Sequence, residues 1–268
     1  MNDDILKRLG ASELANGRID WGGDAMSPYS HDELVAFATM DAETGARIKA
    51  QFDDFLSVYF ALSTDERDTL KVWAQREFVD PTWRNGRTFP RPEFANARFF
   101  PNAAHTGRLL DIAPAHGCHG ALLYRDHYRY DLNLHTCDFS PCYNKLLTLL
   151  GVDVKHFDVR FDRLRDTYDT TFDVVTLTEV LEHVDQTAED NIIADLHDIT
   201  RLDARVLITF PVKALPHGGV PQPDDPLGHI RQPVVADVID KMQGFNALER
   251  GRFSSGKYDQ NFIILERK

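Results

Sequence analysis

The chain has 268 residues, long for one minimal domain and short for two full ones, so one core domain with an extension is expected. Hydrophobic residues make up 43% and charged residues 27%, an ordinary globular balance, and no apolar run reaches the roughly 18 residues of a membrane span. The net charge of -12 argues against a broad nucleic-acid-binding face.

The N-terminal MNDDILKRLG is acidic and lacks the apolar stretch of a signal peptide. Cys118, Cys137 and Cys142 form no CxxC pair. Together these point to a reducing, cytoplasmic setting. Residues 1–75 read mostly as helix. Ser30-His31-Asp32-Glu33 offers a cap, and Ile48, Phe52, Phe55, Leu56, Tyr59 and Phe60 have helical spacing. Ser63-Thr64-Asp65-Glu66 is a further helix start, feeding Leu70, Val72 and Trp73. Residues 79–104 show no periodicity and read as a long connector. That connector carries Arg84, Arg87, Arg91 and Arg98 against Glu93 alone, among Trp83, Phe89, Phe94, Phe99 and Phe100. It is either a solvated linker and core packing or the lining of a pocket for an anionic substrate.

From residue 107 the pattern changes. Apolar strands are expected at 108–113, 129–138, 152–158, 172–178, 205–211 and 262–266. Helices are expected at 145–150, from the end of the 172–178 strand to about residue 200, and at 234–242, the last stopped by Gly244. Alternating strands and helices imply an α/β fold. The expectation is a Rossmann-like, mostly parallel seven-stranded sheet with helices on both faces, at 105–268, after a helical N-terminal extension and connector at 1–104. Ligands of such sheets sit beyond the carboxyl ends of the strands.

The segment Asp111-Ile112-Ala113-Pro114-Ala115-His116-Gly117-Cys118-His119-Gly120 joins the first such strand to a helix. Small residues there let a backbone approach a ligand, although Ala113 and Ala115 stand where glycines would be ideal. Asp138 ends the next strand, where an acid can accept from both hydroxyls of a ribose. Asp158 ends the third, where an acid can accept from an adenine amine. At these residues, and above all at Phe172-Asp173-Val174-Val175-Thr176-Leu177-Thr178-Glu179-Val180-Leu181-Glu182-His183-Val184, the chain resembles the class I S-adenosylmethionine-dependent methyltransferases. It looks most like the quinone-biosynthesis O-methyltransferases and their small-molecule relatives. Gly228-His229-Ile230-Arg231 and Gly244-Phe245 also resemble a late substrate loop of that group.

The resemblance implies S-adenosylmethionine as cofactor. Asp111 would hold the methionine ammonium, and Ala113, Ala115 and Gly117 would line the methionine and ribose. Asp138 would bind the ribose, with Phe139 over the adenine. Asp158 would read the adenine amine beside Val159, and Thr178 and Glu179 would approach the methionine end. It implies a small-molecule substrate, no membrane and no nucleic-acid partner, and leaves a homo-oligomer open.

Glu179, Glu182 and His183 are expected to begin a helix and share one face. Three readings stand side by side. The residues brace the helix start, or His183 or His229 acts as a general base, or Glu179, Glu182, His183 and His229 hold a divalent metal. Certain RNA-terminal and some quinone O-methyltransferases resemble the last arrangement; the base reading, with no metal, is the one adopted. His116 and His119 flank the first turn, and His217 lies in a proline- and glycine-rich loop that reads as a lid. The alternatives are a non-catalytic nucleotide-binding scaffold of the same fold and a metal-dependent RNA methyltransferase.

Overall fold

The computed structural model describes residues 3–13, 19–20, 41–78, 95, 98–114, 131–213, 229–254 and 259–268. The cap expected at 30–33, most of the 79–104 connector, residues 115–120 of the first turn and the loop holding His217 lie outside the described residues. The chain forms two compact units. One joins Met1–Thr88 to Asp138–His156; the other joins Phe89–Cys137 to Phe157–Lys268.

In the first unit, α1 (Asp3–Arg8) precedes a small antiparallel pair, β1 (Ser12–Glu13) and β2 (Ile19–Asp20). Helix α2 (Ala42–Ala61) starts because the Asp41 carboxylate accepts the Thr44 N–H at 2.7 Å. Its Phe52, Phe55 and Tyr59 fall at helical spacing, are buried, and stack at 5.9 and 6.2 Å between ring centroids. Burial of each aromatic contributes about 2 kcal/mol. Helix α3 (Thr64–Phe78) opens with a reciprocal capping box. The Glu66 carboxylate accepts the Ser63 N–H at 2.7 Å, and the Ser63 hydroxyl accepts the Glu66 N–H at 3.3 Å. The α3 start agrees with the sequence pattern, and the body of α2 carries the expected helical spacing, but its cap at Asp41 was not anticipated. The unit is completed by α4 (Pro141–Leu149), which opens on a proline, and β5 (Asp153–His156).

The second unit holds β3 (Thr106–Ile112), β4 (Asp131–Asp138) up to Cys137, α5 (Leu164–Thr167), β6 (Phe172–Thr178), α6 (Gln186–Ile199), β7 (Thr200–Pro211), α7 (Val235–Lys241), β8 (Phe245–Ser254) and β9 (Asp259–Arg267). Among the described residues the main sheet has seven strands, in the order β5-β4-β3-β6-β7-β9-β8. Pairs β3–β4, β3–β6 and β6–β7 are parallel, whereas β9 runs antiparallel to both β7 and β8. Ile112, Asp138, Thr178 and Pro211 therefore end their strands at one edge of the sheet.

Successive strand residues point to opposite faces, so a run of consecutive buried residues means that both faces are covered. Strands β3, β6 and β7 all show such runs. Ile192, Ile193, Leu196 and Ile199 of α6 and Val238 and Met242 from the α7 region pack in one core with Leu110, Val175, Val206 and Ile263. Gly107, the second residue of β3, has φ +106° and stands where a Cβ would collide with the Asp173 carboxylate. That carboxylate accepts the Arg108 N–H at 2.8 Å and pairs with Arg201.

Several expectations are corrected. Strand β8 was not anticipated, because of its ten residues only Phe245 is buried; the rest present a polar edge. The helix expected to start at Glu179 begins at Gln186. Val184 is extended at φ -117°, ψ 152°, and Asp185 caps α6 by accepting the Ala188 N–H at 2.7 Å. The β1–β2 pair, in a region expected to be mostly helix, and the short α5 were not anticipated either; the remaining element limits agree with expectation to within a few residues, apart from the earlier start of β7 at Thr200.

Candidate active site

Asp111 lies one residue before the end of β3 and is buried; its carboxylate accepts the Thr176 hydroxyl from the neighbouring β6 at 2.7 Å. Ala113 follows with φ +49°, and its N–H donates to the Cys137 carbonyl at 2.7 Å. The chain thus takes a left-handed turn at a residue with a Cβ, a strain of roughly 1 kcal/mol. Pro114 comes next. Ala115 and Gly117, with His116, Cys118 and His119, lie outside the described residues.

Asp138 is buried at the end of β4, where its Oδ1 accepts the Ser140 N–H at 2.8 Å. The Asn144 amide donates to the Asp138 carbonyl at 2.8 Å, tying that strand end to α4. Phe139 is half-buried. Asp158 is also buried, two residues past β5. Its carboxylate carries a cation that the sequence reading missed. Arg160 donates from Nε to Oδ1 at 2.9 Å and from Nη2 to Oδ2 at 2.5 Å, and its guanidinium lies 5.0 Å from the Phe161 ring centre. An acid followed by an arginine two residues later was the available signal. Val159 packs against the core of the second unit.

Thr178 ends β6 opposite Thr209 of β7. Glu179 then adopts φ +57°, and its N–H donates to the Thr209 carbonyl at 3.0 Å. Its Oε1 accepts the Gln260 amide at 2.9 Å and the Thr209 hydroxyl at 3.2 Å. Glu179 is therefore engaged with β7 and β9 rather than sharing a helical face with Glu182 and His183. Those two residues lie in a 3-10 turn, Leu181–His183, closed by the His183 N–H on the Val180 carbonyl at 3.0 Å.

Glu182 is fully buried, His183 is exposed and His229 half-buried. Each offers one ligand atom, and the three atoms lie within 4.8 Å of one another. His183 Nε2 is 3.9 Å from Glu182 Oε1, and the two imidazole rings meet edge to face with centroids 5.0 Å apart. The structure thus brings together two histidines that are distant in sequence and adds Glu182. Nearby, Arg231 donates from Nε to the Val184 carbonyl at 2.7 Å and pairs with the buried Glu189. Desolvation holds the Arg231 guanidinium below the usual arginine range, against the opposing fields of Glu182 and Asp185. Lys241 reaches Glu189 at 2.5 Å and Asp190 at 2.7 Å; its hydrogen bond holds the Asp190 carboxyl below the usual range.

Chemically, this cluster can take a proton from an acceptor through an imidazole, or it can ligate a divalent cation through one carboxylate and two imidazoles. Among the described residues, no helix is long and apolar enough to cross a membrane.

No protein-family model matches the chain, and no curated protein does. Solved structures do. An N-methyltransferase, NodS of Bradyrhizobium japonicum, in complex with S-adenosylhomocysteine, superposes with a TM-score of 0.51 at 14% identity, covering 74% of this chain and 98% of that one. A Haemonchus contortus phosphoethanolamine N-methyltransferase gives 0.51 at 14% identity, covering 76% and 58%. The Burkholderia thailandensis 1,6-didemethyltoxoflavin-N1-methyltransferase, with S-adenosylhomocysteine bound, gives 0.50 at 16% identity, covering 85% and 91%. The fold of this chain is that of the class I S-adenosylmethionine-dependent methyltransferases.

Proposed function

We propose that the chain binds S-adenosylmethionine and transfers its methyl group to a hydroxyl or amine of a small molecule. The observation that carries this reading is a series of buried carboxylates, Asp111, Asp138 and Asp158, at or just past the ends of successive strands in a methyltransferase sheet. Such groups match the ammonium, ribose and adenine of that cofactor. The acidic net charge supports a small acceptor over a nucleic acid.

In this reading the acceptor atom attacks the sulfonium methyl in line. The new bond to carbon forms as the carbon–sulfur bond breaks, and sulfur leaves as a thioether with the electron pair. Most of the rate comes from alignment and exclusion of water. His183 or His229 receives the proton that the acceptor gives up, and the Glu182 carboxylate stabilises the resulting imidazolium.

Calorimetry with S-adenosylhomocysteine tests the reading. Binding at micromolar concentration is expected, and Asp138→Ala should weaken it at least about tenfold, roughly 1.4 kcal/mol. Absence of binding by the intact chain would leave a scaffold of the same fold. Unchanged affinity in Asp138→Ala would refute the ribose assignment.

The convergence of Glu182, His183 and His229 within 4.8 Å favours a second reading of the acceptor end, a divalent cation held by these three groups. Titration with Mn²⁺ or Zn²⁺ separates the two. Binding lost in a His183→Ala, His229→Ala double variant supports the metal, and no binding leaves the histidines as bases.

A further inference from the structure

We propose that Arg231 is a positioning residue that holds His229 against His183 and Glu182 by anchoring its own side chain on the buried Glu189 carboxylate. The proposal rests on the reading of those two histidines as the acceptor end of the site.

His229 stands at the start of a short described segment leading into α7. Its neighbours are tied down one by one. The Ile230 N–H donates to the Glu182 carbonyl at 2.9 Å, and the Arg231 N–H reaches the same oxygen at 3.4 Å. The Arg231 side chain then takes hold of the other end of the 180s turn. Its Nε donates to the Val184 carbonyl at 2.7 Å, and Nη2 pairs with Glu189. Both grips fall on the segment that carries Glu182 and His183, or on the first turns of the helix just after it.

Glu189 is an unusual anchor. It is 1% exposed, on the apolar face of α6 among Ile192, Ile193 and Leu196. A buried carboxylate is tolerated only when paired. Here Arg231 supplies one cation, Lys241 of α7 a second at 2.5 Å, and the Gln186 amide donates at 3.2 Å. The helix N-terminus adds favourable potential. The carboxylate thus joins α6, the 229–231 segment and α7 at one point. Arginine suits 231 because its planar fork holds two separate donor nitrogens at a fixed angle, Nε on the Val184 carbonyl and Nη2 on the Glu189 carboxylate, which a point-like ammonium on a flexible stem does not fix.

The test reads the histidines directly. In perdeuterated protein with protonated histidine, the ring protons of His183 and His229 should give a nuclear Overhauser cross-peak, since the centroids are 5.0 Å apart. Assignments come from His183→Asn and His229→Asn. In Arg231→Gln the cross-peak is expected to fall at least about threefold. In Arg231→Lys, which keeps the charge opposite Glu189 and gives up the Val184 bond, it should lie between wild type and Arg231→Gln. A purely stabilising role would lower the melting temperature and leave the cross-peak intact. A wild-type cross-peak in either variant, folded by circular dichroism, overturns the proposal; if Arg231→Gln does not fold, Arg231→Lys decides. Calorimetry with S-adenosylhomocysteine on the wild type keeps the two readings apart. Its failure sinks the methyltransferase reading and leaves the cross-peak result standing, and the converse holds as well.

Discussion

Among the described residues, Ala113, Glu179 and Asp203 are the non-glycine positions with left-handed φ, at +49°, +57° and +65°. The first two follow β3 and β6 directly, at the sheet edge where ligands of this fold class sit. Backbone strain at such positions persists only when surrounding contacts over-determine it. At Glu179 those contacts are plain: the Thr209 carbonyl and hydroxyl and the Gln260 amide. At Ala113 the visible restraint is the hydrogen bond to Cys137. Ala113→Gly is therefore expected to stabilise the fold by up to about 1 kcal/mol, by removing a Cβ from a left-handed turn. Scanning calorimetry would register this as a higher melting temperature. A lower one would show that the loss of unfolded-chain restraint outweighs the relieved strain.

At the level of the element, the start of α3 depends on two residues. The Ser63 N–H and hydroxyl both donate to the Glu66 carboxylate, which they hold below its usual range, with help from Arg8. Ser63→Ala removes the hydroxyl and should cost about 1 kcal/mol, as N-cap losses do. Urea denaturation would show it as a lower midpoint with an unchanged slope. The start of α6 follows the same logic one step further on. Asp185 is the better cap, so the chain stays extended at Val184, and Glu182 and His183 are left in a tight turn. That delay separates the cluster from the helix and turns the Glu182 carbonyl toward the 229–231 segment.

For the whole molecule, charge sets the response to pH. Asp41, Glu66, Asp190 and Asp259 each have a carboxyl lowered mainly by hydrogen bonds, from Thr44, Ser63, Lys241 and Ser254 respectively. A carboxyl depressed in the folded state contributes stability that is fully present above its unfolded value, near 4. The contribution is lost as pH falls through the lower folded values. Urea midpoints should therefore be flat from about pH 8 to about pH 5 and decline below about pH 4. A midpoint that rises on acidification would mean that relief of the -12 net charge dominates instead.

The alternation of elements, and most of the residues at their ends, can be read from the order of residues alone. Strand β6 was legible to the residue, Phe172–Thr178, because a strand buried on both faces must be a continuous apolar run. The start of α3 was legible because capping is local chemistry, and α2 was legible by the spacing of its apolar residues but not by its cap, Asp41. The positions of Asp111, Asp138 and Asp158 were legible because each stands at or just past the end of an apolar stretch. Strand β8 was not, since an exposed edge leaves no hydrophobic period to read. The helix placed at Glu179 was misread because i, i+3, i+4 spacing has meaning only once a helix exists, and the Asp185 cap decides that it does not. Three pairings emerge only in the folded chain: His229 against His183, Arg160 on the carboxylate of Asp158, and Arg231 on Glu189, an acid on an apolar face. Contacts across the sheet and between loops have no sequence period. They exist because parallel strands deliver distant turns to the same edge, where packing and charge select the partners.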